Sequence, residues 1–251
     1  MTFITLRAKH ILFVLAAVLC CATVCFSAGK TADVFKVGSR EIPIYSVERP
    51  DNKIALTFNC AWNDLDVERI IALLKKYNAD ATFFAVGDWA KKYPEALKKF
   101  RDAGFEIGNH SYNHAHYNKL LKSDIMADIQ KCDDVIKNIT GTQPYLFRAA
   151  YGEYNDKVVS GCEESGRMYI QWSVDSLDYK ANSPEQISSR VLNKTSAGDI
   201  ILMHNGTKYT ADALETILPA LCEKYTLVKI SDLIYKDNYT IDGNGRQHKA
   251  S

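Results

Sequence analysis

Two histidines lie four residues apart in the stretch GNHSYNH, at His110 and His114. On a helical turn this spacing directs both imidazoles to the same side, which suits a divalent metal such as zinc. Exposed histidine pairs also occur without a metal, so the spacing alone leaves a metal site and a chance pair equally open. His116 lies outside the pair, and we expect it at the surface.

Further reactive side chains follow other apolar stretches. Arg148 follows PYLF, Asp175 and Asp178 follow WSV, and His204 follows DIILM. A buried arginine needs a carboxylate partner. Arg148 is therefore expected either to form an ordinary structural ion pair or to belong to a functional site. A lone histidine such as His204 is more often structural, unless an aspartate orients its ring and allows it to donate a proton.

The stretch ALTFNCAW, residues 55–62, reads as a buried strand that ends in polar residues. An enzyme with alternating strands and helices usually places a catalytic carboxylate at such a point. Asn59 and Cys60 stand there instead. Cys60 is either a packed, inert thiol or a thiolate metal ligand. Asp66, a few residues further on, is the expected N-cap of a helix.

Strand-like and helix-like segments alternate from Lys53 onward. Helical spacing predicts helices over 66–77, from Pro94 to Gly104, from Ser123 to Gly141, and beginning near Asn155, Ser183 and Thr210. Between them lie the apolar stretches KIALTF, ATFFAV, FEIG, PYLFR, MYIQWSV, DIILM and TLVKI. Such alternation predicts βα units around a parallel sheet, and their number favours a closed or nearly closed barrel. The carboxyl ends of the strands are then the active face.

The composition agrees with one globular domain, since 47% of the 251 residues are hydrophobic and 24% are charged. A net charge of +1 argues against a nucleic-acid partner. Beyond residue 28 the cysteines are widely spaced and form no CxxC pair, which excludes a zinc ribbon or a redox motif. We expect a monomer.

The chain divides into four segments. Residues 1–28 predict a secretory signal, because basic residues precede the uncharged run ILFVLAAVLCCATVCFSA at 11–28. This run is also just long enough to remain as a membrane anchor. Residues 29–51 lead into the main domain through an expected strand at 40–48. The main domain spans 52–235, and the polar residues 236–251 predict a loose tail.

Five motifs in order make residues 52–235 resemble the polysaccharide deacetylases of the NodB-homology type, carbohydrate esterase family four. They are TF followed by the position of an acid, HSxxH, RxxYGxxN, DxxD with an aromatic residue, and LxH. The resemblance implies a distorted (β/α) barrel that removes N-acetyl groups from a cell-wall or chitin-like glycan. The stretches FNCAWN, YGEYND and DSLDYK are most similar to the sporulation-associated branch.

The resemblance also implies a divalent metal, with zinc the expected ion. His110 and His114 would hold it, and water activated by the metal would attack the acetyl carbonyl. The backbone N–H of Tyr151 would help to hold the resulting oxyanion. The family's second acid, a metal ligand, is replaced by Cys60. We therefore expect either water or Asp64 to complete the site.

The remaining roles concern protons. His204 would protonate the leaving amine, with Asp178 supporting the protonated ring, while Arg148 would orient a general base. Asn59 stands where the family has that base, and a side-chain amide has no useful basicity. The aromatic Tyr179 replaces a usual tryptophan and can still pave one side of a sugar site.

Three functions remain open from the sequence. The first is an exported, metal-dependent glycan deacetylase weakened by Asn59. The second is a catalytically silent protein that binds an N-acetylated glycan on the same fold. The third is a metallohydrolase that acts on another amide.

Overall fold

A curled sheet of eight parallel strands forms the centre of the computed structural model, which describes residues 41–250. Its strands are β2 (Lys53–Cys60), β3 (Thr82–Ala85), β4 (Glu106–Asn109), β5 (Leu146–Phe147), β6 (Met168–Tyr169), β7 (Val174–Asp175), β8 (Ile200–His204) and β9 (Thr226–Leu227). Their order is β6-β5-β4-β3-β2-β8-β7, and β9 pairs with β2. The predicted distorted (β/α) barrel is confirmed.

Eight helices of the described part of the chain accompany the sheet. They are α1 (Val67–Lys76), α2 (Gly87–Lys92), α3 (Pro94–Asp102), α4 (Lys122–Thr140), α5 (Asp156–Glu164), α6 (Pro184–Lys194), α7 (Thr210–Cys222) and α8 (Ile230–Leu233). The predicted helices are confirmed to within a few residues. The short helices α2 and α8 were not predicted.

Side chains alternate between the two faces of the central strand β2. Phe58 and Cys60 share the face that packs against the helices, and both are fully buried there. Thr57 and Asn59 occupy the opposite face, inside the curled sheet, where they meet Arg148. One strand therefore sends Cys60 into the core and Asn59 into the barrel.

The barrel is open, because its two edge strands, β6 and β7, are not paired with each other. MYIQWSV was predicted as a single strand, but it is split into β6 and β7, which lie at opposite edges of the sheet. The N-terminal segment borders this opening. The N–H of Ile44 donates to the carbonyl of Tyr169 (2.9 Å), and the N–H of Val47 donates to that of Gly198 (2.9 Å). In the described part of the expected strand, residues 41–48, only Ser46–Val47 forms a strand, β1.

The prediction of a loose C-terminal tail is wrong. Strands β10 (Tyr239–Ile241) and β11 (Arg246–Lys249) form an antiparallel hairpin, and β11 also pairs in parallel with β1. The turn contains Asn244-Gly245, a strong hairpin signal that the polar composition obscured. Gln247 is fully buried and its amide nitrogen donates to the carbonyl of Tyr235 (2.6 Å).

The predicted signal or anchor at 1–28 lies outside the described residues. Among residues 41–250, no helix is long and apolar enough to cross a membrane. The proposed segment boundaries at 28, 51 and 235 stay predictions.

Candidate active site

Arg148 is the fully buried centre of the site. Its Nη1 donates to Thr57 Oγ1 (2.9 Å) and to Asn59 Oδ1 (3.0 Å). Its Nε and Nη2 donate to the carbonyls of Ile170 (3.3 Å) and Gln171 (2.9 Å). All four acceptors are uncharged. Arg148 therefore has no carboxylate partner among the described residues, and the prediction of such a partner is wrong. Burial lowers the pKa of Arg148 to about 9, which still leaves a cation at neutral pH.

The strand register brings Asn59 next to His204. These two residues are paired neighbours on β2 and β8. Asn59 is only 5% exposed, and its Oδ1 is directed to the guanidinium of Arg148. The predicted base position therefore lies inside the barrel, beside the predicted acid, and holds an amide.

His110 presents an unused nitrogen to the site. Its Nδ1 lies 2.8 Å from the carbonyl oxygen of Arg148, so Nδ1 must carry the proton of this hydrogen bond. Its Nε2 is buried and makes no hydrogen bond within the described residues. Burial also lowers the pKa of His110 well below its usual range, which keeps the ring neutral. A neutral imidazole oriented through its other nitrogen is what a metal ligand requires.

His114 lies beside His110, but the segment that connects them is not the expected helical turn. The loop between them is irregular, with Ser111 (φ 67°) and His114 (φ 59°) in the left-handed region. The backbone N–H of His114 donates to Ser111 Oγ (3.0 Å), and the two imidazole centroids lie 5.2 Å apart. Burial lowers the pKa of His114 as well. The two neutral rings fit a divalent metal.

Asp64 does not complete this pair. Within residues 41–250, no three side chains of His, Cys, Asp or Glu are grouped so that they could hold a metal. Asp64 lies in the turn before α1, close enough to Lys99 to interact with its charge. The expected third ligand is therefore not supplied by the described side chains as they stand.

Cys60 is a packed thiol. It is fully buried in the core cluster formed with the helices, and burial raises its pKa well above the usual range. It points to the face of β2 opposite Asn59. Of the two alternatives left open by the sequence, the inert thiol is the one observed.

Asp178 and His204 form the predicted pair. Asp178 Oδ1 lies 2.7 Å from His204 Nδ1, and Oδ2 accepts the backbone N–H of His204 (2.7 Å). Thr210 Oγ1 also donates to Oδ2 (2.6 Å). This arrangement leaves His204 Nε2 as the nitrogen that can hold a transferable proton.

Tyr151 covers the histidine side of the site. It has a left-handed backbone (φ 60°) in a short 3-10 turn, Ala150–Gly152. Its ring lies edge-on to His114 (4.5 Å) and stacks on His116 (4.2 Å, 10°). His116 is half exposed and bonds Glu153 through Nδ1 (2.8 Å). His116 is at the surface, as predicted, but it also borders the site.

Several site residues were not found from the sequence. Thr57 binds Arg148, Thr210 binds Asp178, and Trp62 lies 5.0 Å from the His204 ring. Thr57 lies within the apolar stretch ALTF and Trp62 follows it, which was the available signal, whereas Thr210 follows the polar segment NGTKY and gave none. Asp66 occupies the predicted N-cap position, but both of its carboxylate oxygens accept the N–H of Gly206 (2.9 Å) instead of capping α1.

The fold and the site define a class: a parallel (β/α) barrel with a histidine pair and an Asp-His pair at the carboxyl ends of its strands. The polysaccharide deacetylase family model matches residues 46–170. The chain is 33% identical over 186 residues to a peptidoglycan-N-acetylglucosamine deacetylase of Bacillus cereus, covering 72% of this chain and 68% of that protein. It is 32% identical to the uncharacterized protein YlxY of Bacillus subtilis, covering 76% of this chain but 60% of YlxY.

A solved structure is also similar. It is the crystal structure of a mutant of BA3943 from Bacillus anthracis, described as a CE4 family pseudoenzyme with restored enzymatic activity. The TM-score is 0.74 at 34% identity, covering 76% of this chain and 71% of that one. This chain belongs to the polysaccharide deacetylase family, carbohydrate esterase family four, a family of hydrolases. The predicted family is confirmed, while the sporulation-associated branch stays a prediction.

Proposed function

We propose that this chain is an exported deacetylase of an N-acetylated cell-wall glycan, and that Asn59 makes its hydrolysis slow. The observation behind this is the contact of Asn59 with the buried cation Arg148, at 3.0 Å. Around that contact, the acid pair and the histidine pair are both present. Of the groups that would move protons in the reaction, the site therefore lacks one, a proton acceptor.

His110 and His114 are the residues that would hold a divalent metal, with zinc the ion we propose. The bound ion would supply Lewis acidity toward the acetyl carbonyl and toward water. The free, buried Nε2 of His110 supports this assignment. A third protein ligand is not part of the proposal, so solvent or substrate would complete the coordination.

On the leaving-group side, His204 donates a proton from Nε2 to the departing amine. Asp178 accepts the Nδ1–H through Oδ1 and is itself held by Thr210, so the ring is fixed in one orientation. The backbone N–H of Tyr151 would stabilise negative charge on the carbonyl oxygen. These roles need no change in the observed arrangement of Asp178 and His204.

On the attacking side, Asn59 cannot remove a proton from water, because an amide oxygen is not a base near neutral pH. Arg148 would pair with a carboxylate at this position and instead meets the amide. A missing general base lowers the rate by about 10²–10⁴-fold. Weak hydrolysis is thus expected rather than none, since the other groups remain.

The second candidate function is glycan binding without turnover. The same Asn59–Arg148 contact favours it, and so does the similarity to BA3943, which is described as a pseudoenzyme. Trp62, Tyr151 and Tyr179 are exposed around the site (47%, 58% and 49%), and exposed aromatic faces suit sugar rings. Binding would survive the loss of the base.

The Bacillus cereus relative is named for N-acetylglucosamine in peptidoglycan, which supports this sugar as the substrate here. A chitin-like chain offers the same acetamide. Export rests on the predicted signal at 1–28, and an uncleaved segment would anchor the protein to the membrane. Such a location matches a cell-wall substrate.

The test is acetate release from peptidoglycan and from chito-oligosaccharides, measured with added zinc and with a chelator. Slow, chelator-sensitive release supports the weakened deacetylase. Glycan binding with no release supports the silent binding protein. Release from non-sugar amides alone would contradict both and favour a different metallohydrolase.

A further inference from the structure

A buried ion pair lies behind the loop that carries His114. Asp133, on α4, is fully buried, and its Oδ2 accepts a hydrogen bond from Arg167 Nε (2.9 Å) and lies 2.8 Å from Nη2. Arg167 follows α5 and is held in turn, because its Nη1 donates to the carbonyls of Ser165 (2.9 Å) and Gly166 (3.2 Å). The mechanism proposed above gives neither member of this pair a task.

The second carboxylate oxygen of Asp133 bonds a residue at the edge of the site. Its Oδ1 accepts a hydrogen bond from Nδ2 of Asn109 (2.7 Å), the last residue of β4. The same Nδ2 donates to the carbonyl of Ile129 (2.9 Å), so both amide hydrogens are used. Asn109 Oδ1 accepts the backbone N–H of Ser111 (2.8 Å). Asn109 is fully buried, and these bonds fix the direction of its amide.

The hydrogen bonds continue to His114. Ser111 Oγ accepts the backbone N–H of His114, so three consecutive hydrogen bonds run from Asp133 to that histidine. Ser111 and His114 both have a left-handed backbone. Residues other than glycine keep this conformation only where their surroundings enforce it. The bonds that begin at Asp133 supply such surroundings.

Asn109 also contacts the strand end that orients the other histidine. Its backbone carbonyl accepts the N–H of Arg148 (2.9 Å), and the carbonyl oxygen of Arg148 lies 2.8 Å from His110 Nδ1. A displacement of Asn109 would therefore disturb the supports of both imidazoles. Residues that orient ligands in this way affect metal affinity without touching the metal.

A role in stability alone is the simpler explanation for a buried ion pair. Such pairs contribute little to stability, however, since apolar residues of similar volume often replace them without loss. Only Oδ2 of Asp133 is used for Arg167, while Oδ1 is directed to Asn109. The two explanations differ in what they require at position 133, a charge or a hydrogen-bond acceptor.

We propose that Asp133, held by Arg167, is a positioning residue for the metal-binding histidines, and that Asn109 transmits its effect. None of these three side chains is a ligand in the proposed site. The inference rests on the proposed function, because it concerns the metal pair His110 and His114. What the site requires from position 133 is an acceptor for the Asn109 amide.

The experiment compares two double variants of the full-length chain that both lack the ion pair. Asp133→Asn with Arg167→Met keeps an oxygen that can accept from Asn109, whereas Asp133→Leu with Arg167→Met keeps none. Calorimetry measures zinc affinity, and the absorption spectrum of the cobalt-loaded protein reports the geometry of the site. The Asn variant should bind zinc within about threefold of the parent, and the Leu variant about 10–100-fold more weakly. The cobalt spectrum should change only in the Leu variant.

Two single variants complete the test. Asn109→Ala cuts the path while the ion pair stays intact, and it should lower zinc affinity by about the same 10–100-fold. Asp134→Leu is the matched control, because Asp134 is the exposed neighbour of Asp133 on α4 and accepts a hydrogen bond from Gln130 (2.7 Å). It should bind zinc like the parent. Circular dichroism checks the fold of every variant.

The outcomes separate the inference from the proposed function. If the parent binds zinc and the two double variants bind it equally well or equally poorly, Asp133 serves only the fold, and the inference is wrong while the proposed function stands. Parental zinc affinity in Asn109→Ala would overturn the inference too, even if the Leu variant does not fold. If the parent binds no zinc, the proposed metal site and the inference both fail.

Discussion

Arg148 Nη1 donates a hydrogen bond to Asn59 Oδ1 across 3.0 Å inside the barrel, so a buried guanidinium meets an amide where a carboxylate would neutralise it. Both residues are almost completely shielded from solvent. A buried cation without a counter-charge is costly, and burial lowers the pKa of Arg148 to about 9. This one contact therefore affects both the stability of the fold and the ability of the site to remove a proton from water.

Replacing Asn59 by Asp should therefore raise the free energy of unfolding at pH 7. The expected gain is about 1.5–3 kcal/mol, the range for hydrogen bonds to charged groups. The added carboxyl, beside Arg148, would have a folded-state pKa below its unfolded value of ~3.9. Its stabilisation is thus present above that pH and lost as the pH falls through the folded value.

Urea denaturation at several pH values measures this gain, and a double-mutant cycle with Arg148→Met assigns it. In the Arg148→Met background, Asn59→Asp should bring no gain. A gain of the same size in both backgrounds would mean that Arg148 is not the partner.

The histidine pair predicts a metal site with little redundancy. His110→Ala or His114→Ala should lower zinc affinity by at least about 100-fold, beyond the effect typical of residues that only support ligands. Calorimetry gives the affinity, and circular dichroism checks the fold. His116→Ala and Cys60→Ala are the matched controls and should bind zinc like the parent. Unchanged binding by the double histidine variant would refute the site.

His204 is expected to act as the general acid. His204→Ala should lower the rate of acetate release by about 10²–10⁴-fold, the usual contribution of a positioned acid. Its zinc content should stay at the parental level, because His204 is not one of the proposed ligands. The comparison is made both in the parent and in Asn59→Asp, where a higher rate is expected. Equal rates with and without His204 would make the residue structural.

The C-terminal hairpin should contribute to stability. Gly245 has φ 77°, and a side chain there would meet the Pro43 carbonyl at 2.8 Å as well as the Tyr45 ring. Gly245→Ala should cost about 1–3 kcal/mol, the typical cost of a strained backbone. Gly243→Ala, with no atom within 4 Å of the new carbon, is the control. Equal melting temperatures for the two variants would mean that the hairpin does not support the fold.

Local signals made much of the fold predictable. The helix predicted to begin near Asn155 begins at Asp156, and Asn155 caps it, since its Oδ1 accepts the N–H of Val158 (3.1 Å). The stretch MYIQWSV was misread, because apolar composition does not reveal that a chain turns between two edges of one sheet. The terminal hairpin was missed because polar side chains obscured the Asn244-Gly245 turn.

The parts of the site that a sequence motif determines were predictable. The parts that depend on how the chain packs were not. The Asp178–His204 pair follows from residues at the ends of two neighbouring strands. The uncharged surroundings of Arg148 depend on carbonyls of Ile170 and Gln171, which no sequence pattern indicates. Asp64 looked suitable as a ligand by type, but the turn before α1 holds it away from a three-ligand group within the described residues.

The central claim is that Asn59 vacates the general-base position of a site whose acid pair and histidine pair are both present. The direct measurement compares acetate release by Asn59→Asp and by the parent on the same N-acetylglucosamine oligomer, at equal zinc occupancy. A restored base should raise the rate by about 10²–10⁴-fold. A parent that is already fast, with no gain in Asn59→Asp, would contradict the claim and mean that the base lies elsewhere.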